Sequence, residues 1–228
     1  MTSADTLTIS DAQKMPHIRT FHARHGRLSL RRKELLESII PRLDVANQGS
    51  PLDLRITLRR DFVVVDFGCG MGDHTRAMLE NQPDWAVLAI DVHTAGICDV
   101  AEMIDNGSFS NALVHLGDGI TVLQDQLADQ SVSEVHILFP DPWPKARHHK
   151  RRVIQEDFLA IIHRVLVPDG IIRIATDHDG YAQHVQQVFT HRQDFDLSVG
   201  GFEVPDTSYH RRAIRLGHTI HSFSARKI

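Results

Sequence analysis

An α/β fold built on a mostly parallel sheet is what the sequence predicts, and three observations predict it. Short apolar runs rich in β-branched residues alternate with segments of helical period, the pattern of parallel strands buried on both faces. A glycine-rich turn, Gly68-Cys69-Gly70-Met71-Gly72, follows directly on the first run. Carboxylates stand at the ends of five consecutive runs: Asp66, Asp91, Asp118, Asp141 and Asp177. Open α/β sheets bind ligands along that rim.

Residues 1–13 read as disordered, and residues 14–27 are basic and poorly periodic. The division expected is therefore a basic N-terminal arm, 1–28, and one domain, 29–228. A helix is expected from Ser29 to Ile40, closed before Pro41. Phe62–Phe67, Ala86–Asp91, Ala112–Leu116, Val135–Phe139 and Ile171–Ala175 are the apolar runs expected to form strands. Between them, Asp73–Asn81, Gly96–Ile104, Ile120–Leu127 and Val153–Leu166 are expected helices. The last carries apolar side chains at 154, 158, 161, 162 and 165. Pro168-Asp169-Gly170 is expected to end it in a turn. Tyr181–Thr190 gives a further helix. Phe195–Val199 and Thr219–Ala225 are weaker strands with no obvious helix between them, expected to pair antiparallel at the sheet edge.

The net charge of -4 conceals strong segregation. Ala12–Lys33, Pro142–Arg152 and Thr207–Ile228 contain no acid and hold 17 of the 25 Lys and Arg residues. The rest of the chain carries eight basic residues against all 29 acidic ones. Such a distribution suits a polyanion, provided the segments converge on one face. No run approaches the roughly 18 apolar residues of a membrane span, and no apolar signal core opens the chain. Cys69 and Cys98 have no paired spacing, which fits a reducing cytoplasm. The sixteen histidines form no metal motif, and His148-His149 lies in a cationic stretch; no metal is expected.

Phe139 to Arg152, FPDPWPKARHHKRR, is the most informative stretch. It places a carboxylate, a flat ring and a dense cationic run on a backbone stiffened by Pro140, Pro142 and Pro144. The carboxylate can accept from a base edge and the cations can hold phosphates. For Trp143, stacking on a base and packing under the loop both stay open. At the glycine turn, Asp91 lies about twenty residues on, where a carboxylate can bind both ribose hydroxyls. A dinucleotide would need its pyrophosphate at the helix start and usually a GxGxxG spacing. Here the spacing is GxGxG, flanked by Asp66 and Asp73. Acids there repel a pyrophosphate and suit the ammonium and sulfonium of S-adenosylmethionine.

With those residues in place, the chain resembles the tRNA (guanine-N7)-methyltransferases. The likeness runs from Val64 to His218 and rests on DFGCGMG (66–72), DVHTAGI (91–97), GD (117–118), PDPWPKARHHKRR (140–152), ATD (175–177) and RLGH (215–218). The resemblance implies a Rossmann-like, seven-stranded S-adenosylmethionine-dependent methyltransferase sheet and methylation of guanosine 46 in the tRNA variable loop. It implies cofactor contacts at Asp66, Gly68, Gly70, Gly72, Asp91 and Asp118 and a catalytic role for Asp141. It also implies substrate contacts at Lys145, Asp177, Thr207, Tyr209 and His210. Two departures stand out. Asp66 replaces the family's usual glutamate, and Thr207-Ser208-Tyr209-His210 replaces its T-K-F-E segment. The hydroxyl and the ring are kept; the lysine and the glutamate are not. The partner expected is tRNA, with no membrane, in a cytoplasmic monomer or homodimer. A methyltransferase for another substrate, or a tRNA-binding protein without activity, are the rival readings.

Overall fold

The computed structural model describes residues 18, 20, 21, 29–107 and 109–228. The expected arm, residues 1–28, lies outside the described residues except at Ile18, Thr20 and Phe21.

Ser29 caps the first helix, α1 (Leu30–Ser38), by accepting from the Arg32 amide. Pro41 does not end the helical stretch as expected. It sits in the first turn of α2 (Ile40–Leu43), where the missing N–H costs nothing. After α3 (Leu54–Leu58) the alternation begins: β1 (Phe62–Phe67), α4 (Asp73–Asn81), β2 (Trp85–Asp91), α5 (Thr94–Gly107), β3 (Ala112–Leu116), α6 (Gly119–Asp125) and β4 (Val132–Leu138). It continues with α7 (Glu156–Val165), β5 (Leu166–Thr176), α8 (Asp179–Thr190) and β6 (Phe195–Val199), and closes with α9 (Ser208–Arg215) and β7 (His221–Lys227).

Two expectations fail for identifiable reasons. Pro168-Asp169-Gly170 is not a free turn but part of β5. Pairing with β4 passes from Val132↔Leu166 to Glu134↔Ile171 across an irregularity, with Asp169 left-handed at φ 60°. The helix α9 was not expected at all. It is short, strongly basic and buries only Ala213, so it does not read as a core-facing helix.

The seven strands run in the order β3-β2-β1-β4-β5-β7-β6. β1 through β5 are parallel to one another, and β7 is antiparallel to both β5 and β6. The antiparallel pair is at the edge as expected, but the strand that opposes the others is the one second from the edge. The order reverses between β1 and β4, which places the ligand crevice at their carboxyl ends. Both faces are covered. Val63, Val65, Leu88, Ile137 and Ile172 pack with Phe158, Ile162, Tyr181 and Val185 on one side. Val64, Val87, Ala89 and Val114 pack with Leu35, Met78, Ile97 and Ala101 on the other.

One polar chain crosses this second layer. Arg173 of β5 grips Glu134 of β4 with two hydrogen bonds, 2.7 and 2.8 Å. Glu134 is in turn 2.7 Å from His136 Nε2. Burial would raise the Glu134 carboxyl, but the Arg173 and His136 bonds outweigh it and hold it at about 2. A carboxylate lowered in the folded state contributes stability above its unfolded value, and that contribution vanishes as pH falls through the folded one. The loss therefore falls between about pH 4.5 and pH 2 and amounts to roughly 3 kcal/mol. Glu134→Gln is expected to unfold more easily at pH 7 and to lose less stability than wild type over that acid window. Parallel acid-unfolding curves would contradict it.

Candidate active site

The glycine turn forms because β1 hands over to α4 through left-handed backbone, and at Gly72 a Cβ would also sit 2.4 Å from Val100. Gly68, Gly70 and Gly72 all have φ between 59° and 82°, the left-handed region that only glycine enters freely. The turn also rests on α5. A Cβ on Gly96 would sit 1.9 Å from the Gly70 carbonyl oxygen, so Gly96 is a residue of this site that its sequence context did not flag. Asp91 braces the turn from β2. Its Oδ2 accepts from the Gly70 amide at 2.8 Å and its Oδ1 from the His93 amide at 2.7 Å. Burial raises the Asp91 carboxyl despite those two donors. Asp118, after β3, caps α6 by accepting from the Ile120 amide at 3.1 Å.

These groups open onto one cavity of about 240 Å³. Gly68, Gly70, Asp91, Asp118, Asp141 and Tyr209 line it, so six of the expected site residues converge there. Thr20 and Phe21 of the N-terminal segment line it as well, and nothing in their sequence marked them. Asp66 is buried and adjoins the cavity through a smaller recess; its Oδ2 accepts from Thr75 at 2.6 Å.

Asp141 is presented by a strained loop. Phe139 and Trp143, both bulky and neither glycine, have φ of 52° and 43°. Each such conformation costs on the order of 1–3 kcal/mol and persists only where the surroundings enforce it. Trp143 supplies much of that enforcement. It is 5 % exposed, its Nε1 donates to the Thr20 carbonyl at 3.0 Å, and the Arg151 guanidinium lies 5.0 Å over its ring. Of the two roles left open for Trp143, the structure selects packing. Arg152 closes the loop from behind, buried, donating to the Pro142 and Gly180 carbonyls at 3.1 and 3.0 Å. It is therefore a strut and not a phosphate ligand. Asp141 itself is exposed and makes no hydrogen bond among the described residues.

The remaining expected contacts are more scattered. Lys145 is exposed at the start of the 3-10 turn 146–151, outside the cavity. Asp177 is engaged by His218 Nδ1 at 2.8 Å and lies outside the cavity too. Thr207 is buried and caps α9, accepting from the His210 amide at 3.1 Å. The ring of His210 lies against Phe139, centroids 6.1 Å apart and 21° from parallel. Ser208, in place of a lysine, donates only its amide, to Asp73 at 2.6 Å.

The basic segments converge only in part. Arg31 and Arg32 are paired with Glu102 and Asp99 of α5. Arg226 and Lys227 lie at the far end of the sheet, level with Ile171. There Arg226 pairs with Asp169 and Lys227 donates to the His163 and Leu166 carbonyls. What stays exposed beside the site is Lys145, Arg147 and Lys150 on one side and Arg212 and Arg215 of α9 on the other.

A family model described as a putative methyltransferase matches residues 60–223. A tRNA (guanine-N(7)-)-methyltransferase of Nitrosomonas europaea is 35% identical over 211 residues, covering 90% of this chain and 94% of that one. One of the same name from Nitrosospira multiformis is 34% identical over 220 residues, 93% of this chain and 96% of its own. This chain belongs to that methyltransferase family. In structure it resembles the 16S rRNA methyltransferase KamB, with a TM-score of 0.54, 18% identity and coverage of 76% of this chain and 90% of that one. At that identity the likeness concerns the fold alone. Among the described residues no helix is long and apolar enough to cross a membrane.

Asp91→Ala is expected to weaken S-adenosylmethionine binding at least tenfold, since it frees the Gly70 turn and removes the carboxylate expected to accept from the ribose. Affinity for tRNA should stay within about twofold. Calorimetry on the cofactor and a gel shift on the RNA separate the two, and an unchanged cofactor affinity would reduce Asp91 to a turn brace.

Proposed function

We propose that this protein transfers a methyl group from S-adenosylmethionine to N7 of guanine 46 in tRNA. The observation that carries the reading is the exposed Asp141, held on a strained loop at the rim of the glycine-turn cavity. The residues around the cavity fit the cofactor. Asp91 offers acceptor oxygens for a ribose, the turn admits close approach, and the flanking acids favour a cation. Bound there, S-adenosylmethionine would supply an electrophilic methyl on a sulfonium.

Guanine N7 carries an in-plane lone pair and no proton. No strong base is therefore needed, and catalysis reduces to position and charge. The task of the chain is to hold N7 in line with the methyl at roughly 3–3.5 Å. Asp141 accepts from the guanine N1–H and amine, fixing the ring's rotation, and its charge favours the positive charge developing on the base. Phe139 and Tyr209 flank it in the same cavity. Guanine 46 reaches this depth only when splayed from its contacts in the folded tRNA. The exposed cations of the 145–150 stretch and of α9 hold phosphates around it. A tRNA substrate supports a cytoplasmic site of action.

The assignment predicts that Asp141→Ala slows methyl transfer a hundredfold or more, about 2–4 kcal/mol in the barrier, with cofactor affinity changed only a few-fold. Near-normal turnover would remove Asp141 from catalysis. An unmodified tRNA transcript carrying adenine at position 46 should accept no methyl; equal incorporation would move the target elsewhere. For the RNA surface, Arg212→Ala with Arg215→Ala should lower tRNA affinity. The slope of log affinity against log salt should fall by about 1.4–1.8, and Arg226→Ala should leave it unchanged. Equal slopes for all three proteins would clear α9 of phosphate contact.

A further inference from the structure

The buried chain that begins at Arg173 does not stop at His136. His136 Nδ1 is 2.7 Å from Nε2 of His74, the second residue of α4, just past the glycine turn. The rings are stacked at 5.0 Å and 23°. His74 is 8% exposed, and its Nδ1 is buried with no hydrogen-bond partner among the described residues. A buried polar atom left unmatched in an otherwise satisfied network calls for a cause.

With His136 neutral, the chain fixes what that atom is. Glu134, doubly bonded by Arg173, is ionised and accepts, so His136 Nε2 carries the proton. In neutral His136 the other nitrogen, Nδ1, is then an acceptor, and His74 Nε2 must donate to it. His74 Nδ1 is left with a lone pair. Each link fixes the tautomer of the next, and the end product is a neutral acceptor aligned by three residues on two strands.

His74 lines the recess of about 20 Å³ that it shares with Asp66, Cys69, Asp73, Thr207 and Tyr209. That volume suits one group the size of water or ammonium. The recess and the main cavity have Gly68, Met71, Leu138 and Tyr209 in common, while Asp91 and Asp118 line the main cavity and not the recess. We propose that His74 is a positioning residue whose Nδ1 accepts a hydrogen bond from the ammonium at the amino-acid end of the cofactor, in a tautomer set by His136, Glu134 and Arg173. The proposal rests on the S-adenosylmethionine reading and on nothing about RNA.

A corollary follows for pH. A proton added to the histidine pair turns Nδ1 from acceptor to donor and puts a cation against the ammonium. The charged groups facing His74 are Asp66 of β1, His136 and Glu134 of β4 with Arg173 of β5 behind them, and Asp73 of its own helix with Arg211 of α9. Burial lowers the His74 imidazole below its ordinary value, so the acceptor state prevails at neutral pH.

Two probes isolate the contact: S-adenosylhomocysteine, which carries the ammonium, and 5′-methylthioadenosine, which lacks the amino-acid end. His74→Gln, which keeps a donor toward His136, should weaken S-adenosylhomocysteine about tenfold or more and change methylthioadenosine less than twofold. Equal losses for both probes overturn the proposal. Because the His74 imidazole is lowered, the wild-type preference for S-adenosylhomocysteine should hold at neutral pH and fall only as pH drops below the ordinary histidine value of about 6.5, while the variant's stays flat; a wild-type preference that stays flat down to the acid limit of the fold overturns it. Should the variant fold poorly, nitrogen-15 spectra of histidine-labelled wild type decide. His74 Nδ1 should be unprotonated at pH 7.5 and should respond to S-adenosylhomocysteine but not to methylthioadenosine. A protonated Nδ1, or equal responses, overturns it. If neither probe binds the wild type, the cofactor reading fails and the proposal with it.

Discussion

The hydrogen bond from the Gly70 amide to Asp91 is the contact on which the rest of the site depends. It ties the end of β1 to the end of β2 where the chain leaves β1 through three left-handed glycines. With the turn fixed, α4 starts where Thr75 can reach Asp66 and His74 can reach His136. Asp73 is then placed to take the Ser208 amide and the Arg211 guanidinium, which docks α9 over the turn. One half-buried carboxylate thus positions both the cavity floor and the helix beside its mouth. Its elevated proton affinity is the cost of taking that carboxylate out of water.

A second constraint, independent of the first, shapes the other wall. The loop after β4 is strained at Phe139 and Trp143, and Trp143 and Arg152 hold it there by burying themselves. The two most conspicuous members of the FPDPWP…RR stretch therefore serve the backbone. The less conspicuous carboxylate between the prolines is what they present. A cationic run in sequence consequently overstates the cationic surface, since Arg152 is inside and Arg226 and Lys227 are at the wrong end of the sheet.

Much of the frame was legible in the sequence because it rests on local pattern. The β1 and β3 runs are continuous and apolar, and their ends coincide with the expected ones. The strand-end acids were legible for the same reason: a carboxylate closing an apolar run is visible without the fold. What stayed hidden depends on contacts distant in sequence. Helix α9 has almost no buried face, so only Asp73, Gly70 and Phe139 reveal why it sits where it does. Glu134 and His136 lie within a strand whose alternate residues are fully buried, and nothing in the run discloses that Arg173 and His74 will meet them. The resemblance implies a substrate contact at Asp177; its pairing with His218, outside the cavity, joins residues 41 apart in sequence and could not be read from either one.

The central claim is chemical: a guanine held by Asp141 presents its N7 to the methyl donor. It is tested most directly by incubating unmodified tRNA with methyl-labelled S-adenosylmethionine and the full-length protein, digesting the RNA to nucleosides and separating them. The account predicts that the label elutes as 7-methylguanosine. Label in any other nucleoside, or none under conditions where the cofactor binds, would contradict it.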